Sequence, residues 1–123
     1  MATRVGTTAH DLGGIRVSTT QFEPMGVTFS VAPTVVARST NSFTVSGTLL
    51  TEGDVYAVAV LQTDTAPFTP EQVIAGHNGE DSPARGSGSQ ETVTSFSFNI
   101  TGNGLSGYSA FDIYIVGRVP QGT

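Results

Sequence analysis

An alternation of apolar and polar residues with a period of two recurs from residue 27 onward, which is typical of half-buried β-strands. Residues 27–38 form the first such stretch. Pro33 lies within it and predicts a kink or an edge position, because proline cannot donate a hydrogen bond to a neighbouring strand. Residues 42–50 repeat the alternation after a short turn. The sequence therefore predicts two consecutive strands here.

Residues 55–61 are apolar at nearly every position, so both faces of this predicted strand must be covered. We expect a central strand, with an opposing sheet on one side and a loop or a partner on the other. The preceding residues 51–54 are typical of a turn, and we interpret Glu52 and Asp54 there as turn-forming, solubilising residues rather than a catalytic pair. A last strand, also apolar on both faces, is predicted over residues 110–119.

One short helix is predicted between these strands. Thr69 offers a hydroxyl at the N-cap, Pro70 occupies the first helical position and an acid follows in the first turn. We expect this helix to end near Gly76, and its residues Val73 and Ile74 to close one end of the core.

The segment between the helix and the last strand divides into two parts. Residues 77–90 are polar and rich in glycine and serine, which predicts a mobile surface loop with a short edge strand. Residues 94–100 alternate more regularly than any other stretch, which predicts an amphipathic strand with Phe96 and Phe98 in the core.

The first 25 residues differ from the rest, because they are rich in glycine, threonine and serine with one short strand-like stretch. We therefore divide the chain into an extended N-terminal arm over residues 1–25 and a β-domain over residues 26–123. Residues 1–22 carry a net charge of +1 and residues 23–123 a net charge of −6. Two interpretations of the arm remain: it docks on an acidic neighbour, or it is a solvated tail with two incidental arginines.

Composition supports an all-β class and narrows the partners. The chain has 14 valines and 18 threonines, whose branched side chains pack well on a pleated surface. A net charge of −5 without any lysine argues against nucleic acid as a partner. There is no cysteine, hence no disulfide or thiolate metal site. No stretch has the apolar character of a secretory signal or a membrane span, so we expect synthesis in the cytoplasm and no membrane partner.

Several segments together resemble a known family. They are Phe43-Thr-Val-Ser-Gly47, Gly53-Asp-Val-Tyr56 running into Ala57-Val-Ala-Val-Leu61, Pro70-Glu-Gln-Val-Ile-Ala-Gly76, and Gly104-Leu105 followed by Phe111-Asp-Ile-Tyr-Ile-Val116. Over residues 27–119 they resemble the fibronectin type III-like, immunoglobulin-like modules of bacterial surface proteins and phage structural proteins. The resemblance implies a seven-strand, two-sheet sandwich used for spacing, adhesion or decoration, with no catalytic residues to carry over.

The chain departs from this family pattern in two places. Phe111 stands where the family places a corner tyrosine, so that corner must be held by packing alone. The sequence also stops about one strand early, which leaves the strand over residues 110–119 at a sheet edge and open to β-addition. We expect the N-terminal arm or a neighbouring subunit to pair with it. The candidate partner-binding residues are Arg4, Ile15, Arg16 and Val17 of the arm and Phe111, Ile113, Ile115 and Val119 of the strand.

Residues that could carry catalysis are scattered. His10 and His77 lie in the predicted arm and loop, and there is no Gly-x-Ser-x-Gly elbow to expose a nucleophile. His77, Glu80 and Asp81 are close in sequence, but their spacing matches neither a calcium loop nor a zinc site, and a solvated loop is the better interpretation. We therefore expect a protein that is not an enzyme and has no cofactor or metal.

Two function classes remain. The favoured one is a structural protein of a phage virion, decorating or cementing the capsid or, as a less favoured location, the tail. Its partners would be the major capsid protein or a tail protein, in a homo-oligomer or on a lattice. The alternative is an adhesion or carbohydrate-binding module of a bacterial surface protein or host-attachment apparatus. Weak glycan binding would use exposed aromatic residues, for which Tyr108 and Tyr114 are the candidates.

Overall fold

The structure is a computed structural model, and it describes residues 4–12, 15–22, 27–39, 41–61, 63–102 and 110–120. The described chain is mostly β-strand with one short helix, which confirms the predicted all-β class. Its elements are β1 (Arg4–Leu12), β2 (Ile15–Phe22), β3 (Phe29–Ser39), β4 (Ser42–Leu61), α1 (Pro70–Ile74), β5 (Gly86–Thr101) and β6 (Ala110–Arg118).

The six strands form one curled sheet, a half-barrel, centred on the long strand β4. β5 runs antiparallel to β4 along most of its length. On the other side of β4, β3 pairs with the first half and β6 with the second half, both antiparallel. β2 continues the sheet beyond β6 in a parallel pairing, and β1 completes it as the hairpin partner of β2.

The turn predicted at residues 51–54 is wrong, because β4 continues through it as a single strand of 20 residues. The register between β4 and β5 slips between Thr48 and Gly53 and again between Gly53 and Val55. Irregularities of this kind bend a strand without removing it from its sheet. At Gly53 a Cβ atom would lie 2.6 Å from the carbonyl oxygen of Arg118, so only glycine fits this close approach.

Asp54 stabilises the bend from inside the sheet rather than from the solvent. Its side chain is 2% exposed, and its Oδ1 accepts a hydrogen bond of 2.9 Å from the backbone N–H of Thr92 on β5. Thr92 has a φ of 55°, a left-handed conformation that is uncommon for a residue other than glycine. The sequence predicted that Asp54 forms a turn and increases solubility. Its contacts show instead that it stabilises a bend within β4.

The β4–β5 hairpin is bent so strongly that the two halves of β5 meet. Gln90 in the first half accepts a hydrogen bond of 3.0 Å at its Oε1 from the backbone N–H of Ser97 in the second half. Gly88 lies so close to the carbonyl of Asn99 that a Cβ atom there would overlap it. The concave side of the sheet is thereby closed around a core.

The inner face of the half-barrel carries the main hydrophobic core, to which every strand from β2 to β6 contributes. Phe43 on β4 packs edge-to-face on Phe111 of β6, with ring centroids 5.1 Å apart. Both rings are buried, so Phe111 is held by packing. Phe96 is also buried in this core and Phe98 packs against it, as the alternation of residues 94–100 predicts.

A second apolar cluster lies on the outer face of the sheet. It is formed by Val58 and Val60 of β4, Tyr114 and Val116 of β6 and Val73 of α1. The prediction that residues 55–61 form a central strand covered on both faces is confirmed, and the cover on the outer side is the segment of residues 63–85. The prediction that Val73 would close one end of the core is wrong. Val73 packs on the outer face of the sheet instead, because the second apolar face of β4 requires a cover there.

The helix begins as the sequence predicts. Thr69 is its N-cap, with a capping box in which Thr69 and Gln72 exchange hydrogen bonds, and Pro70 follows at the first helical position. Gly76 ends the helical segment with a φ of 78°, a conformation that glycine adopts without strain.

The polar segment after the helix is more ordered than a featureless loop. The side-chain Oδ1 of Asn78 accepts hydrogen bonds from the backbone N–H groups of Glu80 and Ser82, at 2.8 and 3.2 Å. Residues 86–90 are the first half of β5 and pair with β4, so a strand lies within the predicted loop as expected. Polar, glycine-rich sequence forms a strand here because β4 supplies a long paired template.

The N-terminal segment pairs with the last strand, as predicted. β2 lies parallel to β6 with a continuous register from Arg16 opposite Ala110 to Gln21 opposite Ile115. β1 then pairs with β2. The edge that the sequence placed at residues 110–119 therefore passes to β1, while β3 with its bulge around Pro33 lies at the other end of the strand order.

Candidate functional site

A cleft of about 150 Å³ opens on the outer face of the half-barrel, between the end of α1 and the first half of β5. Its lining residues are Tyr56, Val73, Ile74, Ala75, Gly76, Ser87, Gly88 and Ser89. The helix side contributes apolar side chains, and the strand side contributes two hydroxyl groups.

Local sequence explains how the cleft is formed. Ser87 and Ser89 are two residues apart on β5, so they share the outer face, and their register partners on β4 are Val58 and Tyr56. Gly88 lies between them at the place where the two halves of β5 meet. On the opposite side, the chain turns away at Gly76, so the helix stops before it covers Tyr56.

Tyr56 is held in place by charged neighbours outside the cleft lining. Arg118 Nη2 donates a hydrogen bond of 3.0 Å to the Tyr56 hydroxyl, and this hydroxyl lies 3.4 Å from Glu91 Oε2 as its donor. The guanidinium carbon of Arg118 also lies 4.9 Å from the centroid of the Tyr56 ring. The ring orientation is therefore fixed, with one face occupied by Arg118.

The same arrangement leaves one polar atom of Arg118 without compensation. Within the described residues, Arg118 Nε is buried and has no hydrogen-bond partner. Such an atom costs free energy, commonly about 1–3 kcal/mol. Arg118 keeps its position nonetheless, which its contacts with the ring and hydroxyl of Tyr56 help to explain.

An ion pair anchors the segment that forms one wall of the cleft. Arg85 donates two hydrogen bonds to the carboxylate of Asp64, from Nε at 3.0 Å and from Nη2 at 3.2 Å. Asp64 also accepts the backbone N–H of Leu61 at 2.9 Å. The hydrogen bond from Arg85 is the largest cause that lowers the pKa of Asp64 below its ordinary value. Asp64 follows the end of β4 and Arg85 precedes the start of β5, so the pair links the two ends of the segment over residues 63–85.

The lining of the cleft combines hydrogen-bonding groups with apolar area. No residue of its lining is charged, and its polar side-chain groups are two serine hydroxyls and one phenol. Serine hydroxyls both donate and accept hydrogen bonds, and a tyrosine ring offers apolar area beside a polar tip. The lining contains no residue that could act as a base beside a serine.

The structure brings four of the predicted partner-binding residues together, in the core. Val17 of β2 lies opposite Phe111 of β6, and both, with Ile113 and Ile115, are 0% exposed. They contribute to pairing and packing within the chain and are covered there. Val119, by contrast, is 50% exposed. The side chains of Arg4, Ile15 and Arg16 lie outside those that the structure describes.

The aromatic residues differ from the expectation for a glycan surface. Tyr114 is 6% exposed and belongs to the outer apolar cluster, so its expected exposure is wrong. It is covered because α1 packs on this part of β6. Tyr108 lies outside the described residues. Tyr56, which the sequence pattern assigns to the core, is the aromatic residue of the cleft. The sequence signal that could have identified Tyr56 as a site residue was its position at the start of the apolar run, beside the turn-like residues 51–54.

The acidic segment after α1 serves the local structure. Asp81 Oδ1 accepts a hydrogen bond of 3.0 Å from Gln72 Nε2, and among the described residues no group of three or more His, Cys, Asp or Glu side chains could hold a metal ion. Within the described residues, no helix is long and apolar enough to cross a membrane.

Comparison of the chain with known protein families, curated proteins and solved structures finds no significant match.

Proposed function

We propose that this protein is a non-enzymatic structural component of a phage virion, which decorates or cements the capsid. The tail is the less favoured location. The partners in this proposal are the major capsid protein and neighbouring copies of the same chain on the capsid lattice. The observation that carries the proposal is the edge strand β1, which has a pairing partner on one side only among the described strands.

A free strand edge is a template for β-addition by another chain, since its backbone donors and acceptors on that side lack a strand partner. The N-terminal strand β1 therefore ends this side of the sheet with an edge suited to assembly. Behind β1, the parallel pairing of β2 with β6 ties this strand to the core. A load on β1 would be transmitted directly to the central strands of the domain.

The finer fold in this proposal is an immunoglobulin-like, two-sheet sandwich derived from the half-barrel. The bend in the β4–β5 hairpin supports it, because β3, the first half of β4 and the second half of β5 then form one layer. The second half of β4 and the first half of β5, with β6, β2 and β1, form the other layer. The edge-to-face packing of Phe43 on Phe111 joins the two layers across the core.

The test is the composition of purified particles. Virions released from cells that carry the gene are separated by density, and the protein is quantified by mass spectrometry relative to the major capsid protein. We expect a fixed stoichiometric ratio across independent preparations, and electron cryomicroscopy should show the domain on the capsid surface. Particles that lack the protein would contradict the proposal.

Two truncations then test the role of β1. Removal of residues 1–12 deletes β1 but leaves the pairing of β2 with β6, so we expect a folded protein that no longer attaches to particles. Removal of residues 1–25 also uncovers Phe111 and Ile113, and should reduce the free energy of unfolding strongly. Attachment of the shorter truncation at full occupancy would show that β1 is not the anchor.

A further inference from the structure

We propose that the cleft formed by Tyr56, residues 73–76 and residues 87–89 binds one neutral sugar residue, the terminal hexose of a surface glycan. This inference is independent of the virion proposal, because it depends on the outer face of the sheet and not on β1. Three properties of the cleft support it: its size, its lack of charge, and the combination of an oriented aromatic ring with hydroxyl groups.

The size of the cleft limits the ligand to one small ring. Its volume is about 150 Å³. Drug-sized ligands occupy sites of about 300–1,000 Å³, so a bulky aromatic ligand or a folded peptide segment does not fit. A single pyranose ring, presented at the end of a chain that continues into solvent, does fit.

The absence of charge limits the ligand chemistry. The eight lining residues include no acid and no base, although the chain as a whole carries a net charge of −5. The nearest charged groups described around Tyr56 are Arg118 and Glu91, and both contact its hydroxyl. An anionic sugar would gain no free cation in the lining and would meet an acidic protein, so a neutral sugar is favoured.

The lining offers what a sugar ring requires. A pyranose has an apolar C–H surface and a rim of hydroxyls, which match the Tyr56 ring and Ile74 on one side and Ser87 and Ser89 on the other. Both serines are exposed, so their hydroxyls are accessible to a ligand. Because Arg118 and Glu91 fix Tyr56 before binding, little side-chain entropy is lost on association.

The test is a titration of the ¹⁵N-labelled full chain, followed by NMR, with methyl glycosides of glucose, galactose, mannose and N-acetylglucosamine. We expect one or more of them to shift the amide signals of residues 74–76 and 87–89, with a dissociation constant on the order of 1 mM for a ligand of this size. The methyl glycoside of glucuronic acid should bind at least about tenfold more weakly. If no neutral glycoside shifts these signals at tens of millimolar, or if the shifts lie elsewhere, the proposal is overturned.

A matched pair of variants locates the site. Ser89→Val places methyl groups in the cleft and should weaken binding about tenfold or more, whereas Ser97→Val, at an exposed position in the other half of β5, should change it less than about twofold. Tyr56→Ala should abolish binding, with Phe68→Ala as the control at an exposed aromatic outside the cleft. Unchanged binding by Ser89→Val would overturn the proposal even if Tyr56→Ala failed to fold.

Discussion

The two halves of β4 share one neighbour, β5, and one inner core, yet their outer faces differ completely. In residues 42–50 the outer face carries Thr44, Ser46 and Thr48, which lie outside the outer apolar cluster, and we call this the uncovered half. In residues 55–61 the outer face carries Val58 and Val60, and the segment with α1 covers it. Residue type on the outer face, rather than position in the sheet, therefore determines which part of a strand acquires a second layer.

The uncovered half is not merely polar but free of charge. Its cross-strand pairs with β5 are Ser42 with Thr101, Thr44 with Asn99, Ser46 with Ser97 and Thr48 with Ser95. In one of them, the Thr44 hydroxyl donates a hydrogen bond of 2.8 Å to Asn99 Oδ1. The covered half, in contrast, contains the boundary between α1 and the sheet, and the cleft lies at that boundary. The cleft has two sides because the segment with α1 ends there and leaves part of the sheet beside it uncovered.

The largest expected effect separates the inner from the outer face in the uncovered half. Phe43→Ala removes a buried ring that packs on Phe111, and should reduce the free energy of unfolding by about 3–5 kcal/mol. Thr44→Ala, one residue along on the outer face, should change it by less than about 1 kcal/mol. Urea denaturation followed by circular dichroism measures both. Similar losses for the two variants would contradict the division into a buried and a solvated face.

A pair of opposite, isosteric changes tests the difference between the two outer faces. Val58→Thr buries a hydroxyl beneath α1 and should destabilise the protein by about 1–3 kcal/mol, because that group loses its hydrogen bonds to water. Thr48→Val makes the reverse change in the uncovered half and should alter stability by less than about 0.5 kcal/mol. The same denaturation measurement applies. Equal effects would show that the segment over residues 63–85 does not exclude water from Val58.

Local pattern was sufficient for much of this fold. The apolar run at residues 55–61 predicted a strand covered on both sides, and Thr69 with Pro70 predicted the start of α1, since each signal lies within a few residues. The bend at residues 51–54 could not be distinguished from a turn. A glycine between two acids suits either, and only the pairing of both halves of β4 with β5 selects the bend.

The candidate site was harder to predict, because it depends on contacts between distant segments. Tyr56 meets Arg118 across the β4–β6 pairing and Ser89 across the β4–β5 pairing, and no spacing in the sequence announces these neighbours. The predicted partner-binding residues illustrate the converse. Val17 and Phe111 were correctly associated with one another, but the pairing that joins them also buries them.

Thr19 of β2 is a polar residue that is buried among the apolar side chains of the inner face. Its side chain is 2% exposed, and among the described residues its Oγ1 has no hydrogen-bond partner. Thr19→Val keeps the shape and removes the uncompensated hydroxyl, so we expect a gain of about 1 kcal/mol in the free energy of unfolding. Thr94→Val, at an exposed position of β5, is the control and should have little effect. Destabilisation by Thr19→Val would mean that its hydroxyl is satisfied.

The smallest expected effect concerns the anchor of the segment that covers the second half of β4. Asp64→Asn keeps an oxygen for the backbone N–H of Leu61 but removes the charge that Arg85 contacts. Since Arg85 lowers the pKa of Asp64, the pair stabilises the fold above the ordinary carboxyl value of 3.8, and this contribution is lost as the pH falls through the lower value of the folded state. Arg85 is 37% exposed, so screening limits the effect to at most about 1 kcal/mol.

The measurement for this pair is the urea midpoint of wild type and Asp64→Asn as a function of pH. The two curves should differ at neutral pH and converge in acid below pH 3.8. Glu80→Gln, at an exposed carboxylate of the same segment, controls for the change in net charge. Equal midpoints for the two proteins over this pH range would show that the hydrogen bond with Leu61, which asparagine keeps, is sufficient. The covering layer over β4 would then be anchored by backbone capping rather than by charge.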